Sequence, residues 1–314
     1  MKKISDKQYA EYLEFKEAQA HGRLLMPDTV RFICAANNYD AEQIGRYFLD
    51  VLAQHTDIEK PYRHYLFILR DYLYSYCKTS SQSQLHEVEK RIAGKSYSIE
   101  EHIKGMIYSL LSNQVNWSRI DPHLAQIDQL FFNYDPTLIL SKPASYFYDG
   151  IMRIKCGNRS IKAQMEALHK NINTLLDIER EYGSVDAFVI SEPIHDIVKK
   201  LSSEKSKYKL NQMAEALVWE YLRNVGVDGA KPDTHLRRFL GSSRMGTCEH
   251  SVATLKELDI QISGLCEATG LRPIEVDYII WNFCAEGFGE VCTKSPRCSI
   301  CPVRNECNYS HKGN

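Results

Sequence analysis

The chain has 314 residues, 44% hydrophobic and 25% charged, with a formal net charge of -1. That length supports two ordinary domains with real cores, and the near-neutral balance excludes a global basic field, so any nucleic-acid partner must be held by local basic groups. No apolar run approaches the roughly 18 residues that span a bilayer, and the start MKKISDKQYAEYLEF lacks the apolar core of a signal peptide, so a soluble, cytoplasmic protein with no membrane partner is expected.

Residues 1 to 94 read as helices with polar connections, with amphipathic runs over Ser5–Ala20 and Ala41–Gln54. In HYLFILRDYLYSYC the residues Tyr65, Leu66, Leu69, Tyr72, Leu73 and Tyr76 fall on one stripe, a pattern that suits a core-facing helix better than a base-stacking platform. The polar run from Lys78 to Gln84 is the candidate linker and Gly94 a second boundary. No chemistry is assigned to this region.

From Ser98 the pattern sharpens. Ser98 and Glu101 have capping-box spacing, and Ile103, Ile107, Leu110 and Leu111 mark the inner face of the helix that follows. Its end carries Gln114, Asn116 and Trp117. Amides there serve as surface caps or, alternatively, enter a gap in a duplex and hydrogen-bond base edges. Gly157 and Asn158 then punctuate two helices, with Arg153, Lys155, Arg159 and Lys162 forming a basic cluster that reads as a solvated face or as a phosphate track.

Lysines 199, 200, 205, 207 and 209 lead to Asn211, where a helix, a short turn and a second helix would aim backbone N–H groups at an anion. The turn contains no glycine, and Asn211 is the residue that best tolerates a left-handed conformation. Ala214, Leu217, Val218, Tyr221 and Leu222 recur at helical spacing, and Gly226 and Gly229 end that helix. Pro232, Asp233, Thr234 and His235 then open a new one. Asp233 has two readings: a helix N-cap, or a fixed ionised carboxylate at the mouth of a cleft.

Of ten cysteines, six are scattered and four are bunched as C-x5-C-x2-C-x5-C at Cys292, Cys298, Cys301 and Cys307. Four thiolates this close can wrap one zinc ion or one [4Fe–4S] cluster, and one tight pair between two long arms leans toward iron–sulfur. Lys294, Arg297 and Arg304 would give such a loop a positive surface.

In order and spacing these parts resemble the helix-hairpin-helix DNA glycosylases of the endonuclease III type, from about Ser98 to Tyr309. The resemblance rests on LLSNQ at Leu110–Gln114, the two-helix segment around Lys155–Leu176, Asp233-Thr234-His235, VDYIIW at Val276–Trp281, and the cysteine loop with its Pro296-Arg297-Cys298 and Cys307-Asn308-Tyr309. It implies an all-α, two-lobed fold with double-stranded DNA bound across the cleft by a monomer. A glycosylase domain over 95–314 would end in a [4Fe–4S] loop over 292–307 and follow an extra helical region over 1–94. It implies Asp233 as the catalytic carboxylate beside the sugar, Gln114 filling the space left by a flipped base, and Trp117, Tyr208 or His235 lining the pocket or steadying the loop. Lys209, Asn211, Arg237, Lys294 and Arg297 would contact the DNA.

Several positions depart from the family. Its hairpin glycines are missing, and the first cysteine gap is one residue shorter than its usual six. Glu215 and Ala216 stand where bifunctional members place a lysine nucleophile, and Tyr108 stands where adenine glycosylases carry a glutamate. A monofunctional glycosylase is therefore expected, with Lys207 or Lys209 as the remaining amines for a weak lyase step. The other readings are a DNA-binding relative without catalysis and an iron–sulfur redox or sensing protein.

Overall fold

The computed structural model describes residues 64–115 and 117–310. The expected helices over Ser5–Ala20 and Ala41–Gln54, together with Cys34 and Asn116, lie outside the described residues. Every regular element among the described residues is helical, as an all-α protein requires. No helix among them is long and apolar enough to cross a membrane.

The first helix, α1 (Tyr65–Tyr76), buries Tyr65, Leu66, Leu69 and Leu73. Tyr76, expected on the same stripe, is 77% exposed, because it is the last helical residue and the chain turns to an extended conformation at Cys77. The expected linker stays outside a helix only as far as Gln82, since α2 (Ser83–Ile92) already includes its last two residues. It is pinned at mid-length, where the Ser80 amide donates to Asn282 Oδ1 (2.6 Å) and Tyr278 Oη donates to the Ser80 carbonyl (3.0 Å).

Helix α3 (Ile99–Leu111) begins with the expected capping box. Ser98 Oγ accepts from the Glu101 amide (3.3 Å), Glu101 Oε2 accepts from the Ser98 amide (2.9 Å), and the inward residues Ile103, Ile107, Leu110 and Leu111 are all buried. The chain continues through α4 (Leu124–Leu130), α5 (Pro136–Leu140), capped by Asp135, and α6 (Ala144–Ile154). The long α7 (Ile161–Tyr182) buries Ile161, Met165, Leu168, Ile172, Leu175 and Ile178, one apolar face at helical period. Between α6 and α7 the left-handed residue is Lys155 (φ 64°), not the glycine or asparagine two and three positions on. Then follow α8 (Val185–Val189), α9 (Ile194–Ser202), α10 (Glu215–Asn224), α11 (Thr234–Phe239), α12 (Leu255–Thr269) and α13 (Pro273–Cys284).

These helices bury two separate hydrophobic clusters. The first runs from Tyr97 to Val227; the second combines Tyr65–Leu73 with Leu236–Val303. The described residues before Gly94 therefore serve both: α1 packs in the second cluster, while α2 lies on α10 of the first. Gly226 makes that second contact possible. It is left-handed (φ 72°), and a Cβ there would fall 2.5 Å from the Glu87 carbonyl oxygen.

The first cluster encloses a polar knot. His102 is fully buried, with Nδ1 2.8 Å from Tyr221 Oη and Nε2 3.2 Å from Asp186 Oδ1. From α2, Arg91 adds two guanidinium bonds to Asp186 and two to the Val225 carbonyl. Burial alone would raise the Asp186 carboxyl, but bonds from His102 and Arg91 outweigh it and hold the group well below the usual carboxylate range. A depressed carboxyl stabilises the fold fully above the pKa of an unfolded aspartate, about 4, and that contribution is lost as the pH falls below it. Asp186→Ala should accordingly lose about 3–5 kcal/mol in urea denaturation at neutral pH, and the gap to wild type should close as the pH is lowered below about 4.

Candidate functional site

Among the described residues after Tyr97, one stretch passes from the first cluster to the second, between Val227 and Leu236, and Asp233 stands on it. Asp233 is the N-cap of α11: its Oδ1 accepts from the amides of His235 (2.7 Å) and Leu236 (3.0 Å). The cap reading is therefore correct as geometry, and it leaves Oδ2 without a hydrogen bond among the described residues. The turn before it is fastened from two sides. The Lys231 amide donates to Asp277 Oδ2 (2.7 Å), and Lys231 Nζ lies 3.3 Å from Glu220, which also accepts from Gln84 of α2. The Asp233 amide closes the turn by donating to the Lys231 carbonyl (2.7 Å).

His235 follows Asp233 into α11, edge-on to Trp281 with ring centroids 6.0 Å apart. Burial lowers its pKa, Asp233 opposing and Arg238 adding to the shift, and Nδ1 accepts from Arg238 Nη2 (3.2 Å). The same Arg238 nitrogen reaches the Cys292 carbonyl (3.4 Å), which carries the site into the cysteine loop.

Helices α9 and α10 and the connection between them occupy the place of the expected hairpin. Asn171 on α7 is fully buried and grips the connection: its Oδ1 accepts from the Asn211 amide (2.6 Å) and its Nδ2 donates to the Asn211 carbonyl (2.9 Å). The left-handed residue is Gln212 (φ 61°), one past the expected Asn211, because the clamp fixes Asn211 through both backbone groups. Lys209 is turned inward, its Nζ donating to the carbonyls of Ser202 (2.6 Å) and Met213 (3.2 Å). Lys207 pairs with Glu181 at 2.8 Å, and that bond raises its pKa, so it is held as a charged ammonium rather than a nucleophilic amine. Glu215, where the resemblance places an amine, is the first residue of α10.

Other expected contact residues have structural tasks. Tyr208 belongs to the first cluster, 7% exposed and packed on Phe188 and Tyr182, so it faces the core instead of a pocket. Arg237 Nε donates to the Ala253 carbonyl (2.8 Å), and Arg297 donates to those of Glu290 (2.7 Å) and Gly289 (2.8 Å). Lys294 remains exposed. Trp117 is half-buried against Tyr108, with ring centroids 5.5 Å apart. Gln114 is exposed and left-handed (φ 56°), and it lines a cleft of about 520 Å³ with Asn113, Arg119, Asn158 and Arg159. This cleft gathers Gln114 and one member of the expected basic cluster, Arg159, but not Asp233.

All four cysteines of the terminal loop line one cavity, with Arg244, Val291, Pro296 and Arg304 also on its wall. Among the described residues no three His, Cys, Asp or Glu side chains form a group able to hold a single metal ion. Arg244 is the residue that sequence reasoning missed. Only 4% exposed, it donates to Cys292 Sγ (2.7 Å) and to the carbonyls of Cys292 (3.0 Å) and Thr293 (2.8 Å), and it lies over the Tyr309 ring. Its ion pairs include no carboxylate among the described residues, and a buried guanidinium without one calls for another anion. Thiolates bound to iron would supply that charge, so the donor set fits an iron–sulfur group. The Cys284 thiol also bonds Cys292, and with Arg244 it draws the Cys292 pKa down to about 7, whereas burial pushes Cys301 up to about 11. Nothing local in SSRMG signalled Arg244, since its partners lie some fifty residues on.

No known family's model matches the chain, and no curated protein matches it.

Arg244→Leu removes the donors to the loop carbonyls and the buried charge together. If the loop holds an iron–sulfur group, the purified variant should retain less iron per chain than wild type, as read by elemental analysis.

Proposed function

We propose that the chain is a monofunctional DNA glycosylase, which hydrolyses the N-glycosidic bond of a damaged or modified base in double-stranded DNA. The observation that carries the reading is Asp233, a carboxylate fixed through one oxygen by two backbone amides, with the other oxygen unbonded among the described residues, on the connection between two helical clusters. The order of the Gln114 helix end, the hairpin, Asp233 and the cysteine loop supports it.

Cleavage of the glycosidic bond develops positive charge on the sugar, and a fixed carboxylate beside C1′ stabilises that charge and orients the attacking water. Asp233 Oδ2 takes this role. Because Oδ1 is already held by two N–H groups, the carboxylate needs no reorganisation as the charge appears. The target base leaves the stack first, most readily when it is damaged or mispaired. Gln114, exposed on the rim of its cleft, fills the vacated space, and Arg119 and Arg159 on the same wall face the phosphates. With Glu215 at the start of α10, Lys209 bonded to carbonyls and Lys207 paired, neither candidate amine is free for a Schiff base, and water is the nucleophile.

Cys292, Cys298, Cys301 and Cys307 would hold the [4Fe–4S] cluster, which when bound staples the loop and brings electron-transfer chemistry to it. Arg244 anchors the loop backbone to the start of that segment, and Arg238 joins it to the helix that Asp233 caps.

Pure protein mixed with duplexes bearing uracil, oxidised pyrimidines, alkylated purines or modified cytosines should release a base from at least one. Asp233→Asn should lower that release by on the order of 10²-fold or more, and borohydride should trap no covalent complex. DNA binding with no release by wild type would identify a non-catalytic relative; a brown protein that binds no DNA would identify a redox or sensing centre.

A further inference from the structure

Asp277 lies in VDYIIW on α13, 2% exposed, the one acid in an apolar run. Its Oδ2 accepts two bonds, from Arg223 Nη1 of α10 (2.8 Å) and from the Lys231 amide (2.7 Å). Lys231 in turn accepts, through its carbonyl, the amide of Asp233 (2.7 Å). One buried oxygen thus joins a side chain of the first cluster, a helix of the second and the backbone of the turn between them. Burying a carboxylate is costly, and a hydrophobic residue would fill the position with less penalty. The charge at this point has a specific consequence: it fixes where the Lys231–Asp233 turn lies relative to both clusters.

We infer that Asp277 is a positioning residue for Asp233, setting through the Lys231 amide the place of the carboxylate that faces the sugar. The inference rests on the glycosylase reading. Asp277 makes no contact with substrate and acts only on the geometry of the turn. Arg223 keeps Asp277 charged, and Lys231 Nζ, held by Glu220, steadies the outer side of the same turn. A displacement of the carboxylate by a fraction of its distance to the sugar weakens transition-state stabilisation while leaving the DNA contacts in place.

The test uses the full-length protein with its metal and a duplex from which wild type releases a base. Asp277→Leu, similar in shape but with no acceptor oxygen for the Lys231 amide, should lower kcat on the order of 10- to 100-fold while KM for the duplex stays within about twofold, the split expected when a transition-state interaction alone is lost. In the Asp233→Asn background the same substitution should cost nothing further, because the two residues act as one unit. Thermal melts identify the folded fraction. If Asp277→Leu does not melt cooperatively, pairing it with Arg223→Met leaves no unpaired buried charge and carries the same expectation. A folded variant with wild-type kcat, a change in KM alone, or an additive loss in the Asp233→Asn background overturns the assignment while leaving the glycosylase reading intact. No base release by wild type from any duplex overturns both.

Discussion

The two hydrophobic clusters meet across a buried ion pair, Arg223 with Asp277, whose side chains are 11% and 3% exposed. Arg223 comes from a helix of the first cluster and Asp277 from a helix of the second. The Asp277 carboxyl is raised to about 6: burial pushes it up, Arg223 pulls it down, and the nearby charge of Asp233 pushes it up. Such a pair adds little net stability, since the cost of desolvating both charges offsets their attraction. What it supplies is registration, because two apolar faces can slide on each other and a bonded pair of charges cannot.

A second layer of polar contacts extends that registration outward. From Asp233 a chain of bonds passes through His235 and Arg238 to the Cys292 carbonyl, and Arg244 holds the same segment from the other side. The cysteine loop is thereby tied to the helix that Asp233 caps. The structure also gives work to residues before Gly94 that carried no recognisable chemistry. Gln84 bonds Glu220, the partner of Lys231, and Arg91 completes the polar knot around Asp186. Helix α2 therefore supports the same turn from the side of the first cluster.

The lysines show how far residue type alone misleads. A lysine beside a helical hairpin reads as a phosphate contact or an amine nucleophile. Lys209 instead closes the end of α9 through the Ser202 carbonyl, and Lys207 is taken by Glu181. Arg237 and Arg297 likewise bond backbone carbonyls. Long cationic side chains satisfy orphan carbonyls at helix ends and turns as readily as they meet phosphates, and only the position of those carbonyls decides between the two.

Features encoded over a few residues were legible in the sequence. The Ser98–Glu101 capping box, the cap at Asp233, the apolar faces of α3 and α7 and the all-helical class depend on spacing along one chain segment, where helix geometry turns sequence distance directly into spatial distance. The bunching of Cys292, Cys298, Cys301 and Cys307 around one cavity belongs with them, because a short loop keeps its ends close. Tertiary structure alone decided the rest. It exposed Tyr76, buried Tyr208 in the core, moved the left-handed turn residue to Gln212, and brought Asp277 to Lys231 and Arg244 to Cys292. Each of these turns on a contact between segments far apart in the chain, and no local pattern encodes which buried charge will meet which backbone group.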